Sequence, residues 1–334
     1  MICNEEKLLV NVLYRTESEV LKGVDINNIN FDDLIKLSSS HLMLPALFSN
    51  IDKKSLGHLF PEDFMEYIKN IYSINKARNV ILLKEAKELS DLLYKNNINH
   101  IFLKGTALLL SDVFEDIGER MIGDIDFIIK HLDEGRIRNL LHKNNYYSDY
   151  PYLFKLFKNK HLPRQINKNK TIAIEPHTEL LSQGNRFIFN STRLIDDFKE
   201  ETKAIKTPSK SFLFDHCIYA LQLEDKGFFS SCHSHRSIYD IYKLNSKNSL
   251  TIKNIKKDIY IKHFFITIDK FKIFDITITT TFFGSYYEKS FRAVRLFSLK
   301  VYMRFMQIVE LFVSRKYRKY ALNKIINLFY KKTS

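Results

Sequence analysis

Tryptophan is absent from this 334-residue chain, and glycine (9), proline (6) and cysteine (3) are scarce. So few chain breakers exclude a collagen-like, linker-rich or low-complexity protein. Cys3, Cys217 and Cys232 have no CxxC spacing and form no paired framework, which argues against disulfides and against a cysteine zinc site. The run Cys232-His233-Ser234-His235 has metal-binding residue types. Ligands two and three apart in one short segment do not close a tetrahedral set by themselves, so zinc is not expected there. Long apolar runs are also missing. No stretch reaches the 18 uncharged apolar residues of a spanning helix, and the most apolar one, 259–283, is cut by Lys262, Asp269, Lys270, Lys272 and Asp275. Glu5 and Glu6 stand where a signal peptide carries positive charge, and the expected location is cytoplasmic.

Acidic residues are scarce in one region. Residues 251–334 hold 18 Lys/Arg against 5 Asp/Glu, a balance of +13, whereas residues 1–250 hold 34 against 33, a balance of +1. A local field of that sign attracts polyanions such as RNA, acidic glycans or anionic lipid headgroups, and residues 287–334 are the candidate contact. Within them Arg315-Lys316-Tyr317-Arg318-Lys319-Tyr320 interleaves basic and aromatic side chains, a pattern that can track a phosphate backbone or lie on an acidic membrane surface. The competing reading is a helical cap that its lysines merely solvate.

What the chain does have is a carboxylate pair in a strand-like setting, Gly123-Asp124-Ile125-Asp126-Phe127-Ile128-Ile129. Residues i and i+2 of a strand share a face, so Asp124 and Asp126 converge while Ile125 and Phe127 point into the core. Two such charges repel unless a cation sits between them, and oxygen-only ligation favours Mg²⁺. On that repulsion alone, Asp→Asn at either position should leave a metal-free fold level or more stable. A bare Asp-x-Asp is usually a solvated turn, but here the context differs. The apolar stretch 98–103 precedes Lys104-Gly105-Thr106, followed by a helix predicted from Ala107 to Ser111. Strand, then Gly-Thr opening a helix, aims free backbone N–H groups at an anion, and Lys104 and Arg120 add positive charge for a triphosphate.

With these residues in place the chain resembles the uncharacterised nucleotidyltransferases of the polymerase-beta-like superfamily. The resemblance is carried by Leu103-Lys104-Gly105, by Arg120 four residues before Asp124-Ile125-Asp126, and by Glu175-Pro176-His177. It reaches weakly upstream through residues 62–96, with Asn79 and Leu82-Leu83, and downstream to His216 and Arg236-Ser237-Ile238-Tyr239-Asp240, covering about 30–245 with 98–180 the specific part. It implies transfer of a nucleoside monophosphate from an NTP to an acceptor hydroxyl, with two Mg²⁺ ions held by Asp124, Asp126 and Glu175. Lys104, Gly105, Thr106 and Arg120 would bind the nucleotide, and His177 could contact sugar or acceptor. Three departures stand out: Thr106 replaces a second Gly or Ser, 17 residues (107–123) separate the motifs, and the third acid is Glu175 followed by Pro176 where the family usually has Asp. Proline cannot donate to a sheet ladder, so it predicts a strand end or edge.

The implied fold is α+β, a polymerase-beta-like nucleotidyltransferase core of a small mixed sheet with helices, flanked by helical N- and C-terminal regions. The boundaries are 1–96 (helical), 97–189 (core) and 190–334 (mainly helical, basic in its last quarter). Asn30 is a predicted N-cap, Pro61-Glu62-Asp63 a helix start, and the apolar period from Ile68 to Tyr94 predicts an amphipathic helix of about 30 residues. Tyr152–Phe157 is a candidate strand, and a hairpin around Lys168-Asn169-Lys170 brings Glu175 forward. His216 reads as a satisfied core histidine, Arg236 and Asp240 as an i, i+4 ion pair. Residues 251–285 fit strands or helices equally. Val294, Leu296, Leu299, Met303, Ile308 and Leu311 are expected to pack against 190–245. Two alternatives remain: an RNA- or tRNA-directed transferase, toxin-like, using the basic quarter as its footprint, and a catalytically degenerate nucleotide-binding module.

Overall fold

Polar caps and apolar stripes set out a helical first third. The computed structural model describes residues 2–148, 160–194, 205–246, 258–274 and 282–330. Helices α1 (Asn4–Tyr14), α2 (Phe31–Ser40), α3 (Leu44–Lys53) and α4 (Glu62–Lys95) come first. Asn30 caps α2 by accepting from the Asp33 N–H, which satisfies one of the orphan donors of the first turn. Pro61 starts α4, with Glu62 and Asp63 at the positive end of its dipole. Phe64, Ile68, Leu82, Ala86, Leu89 and Leu93 form its buried stripe, and α4 packs on α3.

The sheet follows. Strand β1 (His100–Phe102) leads into α5 (Lys104–Leu110), then β2 (Asp124–Ile129), α6 (Glu134–Lys143), β3 (Tyr146–Tyr147), β4 (Ile166–Asn167) and β5 (Ala173–His177). The order is β1-β2-β5, with β2 antiparallel to β1 and parallel to β5, while β3 and β4 pair separately. Central β2 carries an unbroken apolar run apart from its aspartates, as a strand covered on both faces requires: Ile125, Phe127, Ile128 and Ile129 are buried. The hairpin is present as single bridges, Gln165 with Ile174 and His161 with His177, and the Leu162 N–H donates to the Pro176 carbonyl at 2.8 Å. Pro176 thus lies on the outer strand, where its missing N–H is tolerated. The candidate strand 152–157 lies outside the described residues.

Helices α7 (Lys210–Tyr219), α8 (Gly227–Ser230), α9 (His235–Ser246), α10 (Ile259–Ile268), α11 (Phe282–Val313) and α12 (Arg315–Tyr330) complete an α+β molecule, and α7 runs on into a π-helical turn, Ala220–Glu224. The ambiguous stretch 251–285 is helical where described. The expected packing of α11 on 190–245 needs correction. Contact is made by Phe291, by Arg292 to Ser231, and by Arg295 to the Gly184 carbonyl and Asn185. Val294 and Ile308 of the expected stripe are 67% and 54% exposed. Near its start α11 is held by Phe291 against the core and by the bonds of Arg292 and Arg295, while Leu296, Leu299 and Met303 of the expected stripe are only partly covered. No helix of the described residues is long and apolar enough to cross a membrane.

Candidate functional site

The approach to β2 is fixed from α4. Asn75, Arg78 and Asn79 fall on one helical face. Asn75 donates to the carbonyls of Gly118 (2.7 Å) and Arg120 (3.2 Å), and Asn79 to those of Ile117 (2.6 Å) and Arg120 (2.8 Å). Arg78 donates to the Ile122 and Gly123 carbonyls. A seven-residue loop with little secondary structure of its own thereby has its backbone acceptors satisfied by amide and guanidinium donors.

Parallel pairing then sets Asp126 of β2 directly opposite Glu175 of β5. His177, two residues on, shares the face of Glu175, and its Nε2 lies 2.8 Å from Asp126 Oδ1 and 3.8 Å from Glu175 Oε2. The Lys104 ammonium reaches the same Asp126 oxygen at 2.6 Å. Burial opposes ionisation of Asp126, but the His177 hydrogen bond and the Lys104 charge outweigh it and hold its carboxyl well below the usual range. Burial likewise opposes the charge on Lys104, and Asp126 outweighs it, so its pKa stands above the ordinary lysine value. Asp124 is the opposite case: burial, then the neighbouring charges of Asp126 and Glu175, push it up to about 6, and its only cationic contact among the described residues is Arg164 at 3.7 Å. The two aspartates are therefore not equivalent. Asp126 is neutralised within the protein, whereas Asp124 keeps the repulsion. His177 is pushed down to about 4 by burial, so its Nε2–H donates to Asp126 from a neutral ring.

The predicted phosphate loop differs in detail. Helix α5 begins at Lys104, three residues before the predicted start at Ala107. Lys104 takes a left-handed backbone (φ 51), a strained conformation for a long side chain, which aims its ammonium at Asp126. Gly105 is needed for closeness: a Cβ there would lie 2.9 Å from the Ile122 side chain. Thr106 is fully buried and donates its hydroxyl to the Asp124 carbonyl at 3.3 Å, so it supports β2. Arg120 is buried too, and its guanidinium grips Asp240 of α9 through two bonds of 2.7 and 2.8 Å. That corrects the expected pairing of Asp240 with Arg236.

A cavity of about 170 Å³ opens beside Lys104, lined by α5, α7, the π turn and α9, with Arg120, Lys160, His216, Glu224 and Arg236 in its wall. Lys160 pairs with Glu224 at 3.2 Å, whereas Arg236 has no ion pair within 4 Å among the described residues. His216 is buried as expected but not satisfied: its Nε2 lacks a partner, and burial pushes its pKa down to about 3. Lys160 escapes sequence reasoning because it is an ordinary polar residue in its own segment, and Arg236 is read there as half of an ion pair with Asp240. Only the fold brings them to Lys104.

Asp126, Glu175 and His177 present ligand atoms all within 4.8 Å of one another and could hold a divalent metal, and Asp124 is not part of that group. The raised pKa of Asp124 fits that use, since a carboxylate crowded by two others is what a cation relieves. No match was found among curated proteins or solved structures. A family model described as an uncharacterised nucleotidyltransferase matches residues 27–257, a span that takes in α4, all three carboxylates, Lys104 and the cavity. Such enzymes generally use divalent metals, and the chain belongs to that nucleotidyltransferase family.

Proposed function

We propose that the protein has a polymerase-beta-like core and is a Mg²⁺-dependent transferase that moves a nucleoside monophosphate from an NTP to an acceptor hydroxyl on a small molecule, glycan or protein. The observation that carries this reading is the register that sets Asp126 opposite Glu175, with Asp124 two residues before it and Lys104 at hand. In the reaction the acceptor oxygen bonds to the α-phosphorus, the bond from that phosphorus to the β-phosphate bridging oxygen breaks, and pyrophosphate leaves with the electron pair. Bound Mg²⁺ supplies neutralisation of the triphosphate charge and lowers the pKa of the acceptor hydroxyl.

Asp124, Asp126 and Glu175 are the residues that would hold the metal pair, or Glu175 would instead take the acceptor proton directly. His177 orients Asp126 through its Nε2–H, and lies beside Glu175 where an acceptor would approach. Lys104, 2.6 Å from Asp126, would add its positive charge for the phosphates. Lys160 and Arg236 line the adjoining cavity and suit the β- and γ-phosphates. Arg120 contributes by fixing α9 through Asp240. Catalysis on this reading is positioning plus charge neutralisation.

The test is incubation with each of four α-labelled NTPs, Mg²⁺ and a fractionated cell extract. Label should enter one acceptor fraction with release of pyrophosphate. It should not do so with Asp126→Asn or with Glu175→Gln. Label transfer that survives both substitutions would refute the assignment.

A further inference from the structure

Far from the carboxylates in sequence, Glu6, His41, His233 and His235 gather from three separate segments: α1, the residue that ends α2, and the turn entering α9. We propose that these four side chains form a structural site for a divalent transition ion of the zinc type. One carboxylate oxygen, Glu6 Oε1, lies 2.9 Å from His233 Nε2 and 3.1 Å from His235 Nε2. The ring nitrogens of the three histidines lie within 4.8 Å of one another. A tetrahedral ion with bonds of about 2.0–2.1 Å holds its donors roughly 3.3 Å apart. The Glu6 distances to His233 and His235 are already close to that size, and the imidazole nitrogens, within 4.8 Å of one another, would draw together by up to about 1.5 Å.

Two of the rings, His41 and His233, run nearly parallel at 13° with centroids 5.9 Å apart, and the third closes the space at their side. His41 and His233 each stand nearly perpendicular to His235, at 81° and 82°, with centroids 4.8 and 5.1 Å away. Phe271 packs against His233 and His235 at 5.0 and 5.2 Å and forms an apolar wall on one side of the cluster. His235 is fully buried and turns its Nε2 to Glu6, the atom that would ligate, while its Nδ1 on the far side of the ring has no partner among the described residues. Three imidazoles and one carboxylate are four protein donors with no position left for substrate, the signature of a structural site. The chemistry selects zinc over Mg²⁺, which prefers oxygen. Such an ion would staple the first helix to the start of α9, the helix whose Asp240 holds Arg120. The Cys-His-Ser-His run is thus completed by Glu6 and His41, about 190 residues and more upstream, which no local spacing rule can see.

The test uses full-length protein freed of any polyhistidine tag and stripped with chelator. Titration with Co²⁺ should give the intense visible bands of a tetrahedral centre, saturating at one equivalent, and Zn²⁺ should displace them and raise the melting temperature. His233→Ala should lose the bands and weaken Zn²⁺ binding by more than about 100-fold. Glu175→Gln, in the carboxylate site, should leave the tetrahedral cobalt bands unchanged. A cobalt spectrum of octahedral type only, no thermal shift with Zn²⁺, or bands lost in Glu175→Gln but kept in His233→Ala would each overturn the proposal. Should His233→Ala fail to fold, the wild-type spectrum and thermal shift decide alone.

Discussion

Substituting Asp124 or Asp126 by asparagine in metal-free protein should move stability in opposite directions. Asp124 titrates at about 6 in the fold against 3.8 as a free side chain. A raised carboxylate is a penalty that is absent below the unfolded value and complete above the folded one. At roughly 1.4 kcal/mol per pK unit the ceiling is about 3 kcal/mol. Partial exposure and Arg164 reduce it, and a gain of about 1–2 kcal/mol is expected for Asp124→Asn at pH 7.5. That corresponds to a rise of roughly 2–6 °C in melting temperature, shrinking to nothing by about pH 4. Asp126→Asn should do the reverse. Its carboxyl is held below the usual range by His177 and Lys104, so its stabilisation is present above the unfolded value and lost as pH falls through the folded one. Removing it strands the Lys104 ammonium and should cost about 1–3 kcal/mol at pH 7.5, less than for a fully buried pair because Lys104 is partly exposed. The assay is thermal melting in chelator across pH 4–8. Equal and positive shifts in both variants would refute the division of roles and restore simple repulsion. The sequence alone predicts a level or positive shift for both, because it shows the two charges but not that Lys104 pairs with Asp126.

Two further outcomes can be measured with the same material. Lys104→Ala should reduce the thermal shift given by NTP with Mg²⁺ far more than Thr106→Val does, because the Thr106 hydroxyl is spent on the Asp124 carbonyl; equal losses would return Thr106 to the phosphate site. Ending the chain after Tyr302 should leave a soluble protein melting within about 2 °C of the full chain, since the contacts of Phe291, Arg292 and Arg295 are retained; aggregation or a large drop would show that the rest of α11 is buried in solution.

Much of the framework is legible in local pattern. The Asn30 cap, the proline start and apolar stripe of α4, and the strand carrying Asp124 and Asp126 are all written within one or two turns of chain. Hairpin placement of Glu175 follows from Pro176 and the Lys168–Lys170 turn. What is not legible is partner choice across distance. Asp240 is four residues from Arg236 yet pairs with Arg120, because buried bidentate geometry outweighs a surface i, i+4 contact worth a few tenths of a kcal/mol. Gly105 reads as a phosphate-loop glycine, while its neighbour Ile122 is what forbids a side chain. The apolar residues of α11 read as a packing face because periodicity reports amphipathicity and is silent on what covers it.

Helix α4 has a consequence for how this enzyme would vary under mutation. At 34 residues it is a rod of about 51 Å, and its polar triad at 75, 78 and 79 grips the segment that delivers the aspartates. The last turn of the same rod feeds β1. Loop and strand therefore ride on one rigid body, and their spacing is inherited from a helix that touches no reacting atom. Lesions at Asn75 or Asn79 should behave genetically like active-site lesions, and compensating changes should be found among the loop residues they hold before any are found in the carboxylates.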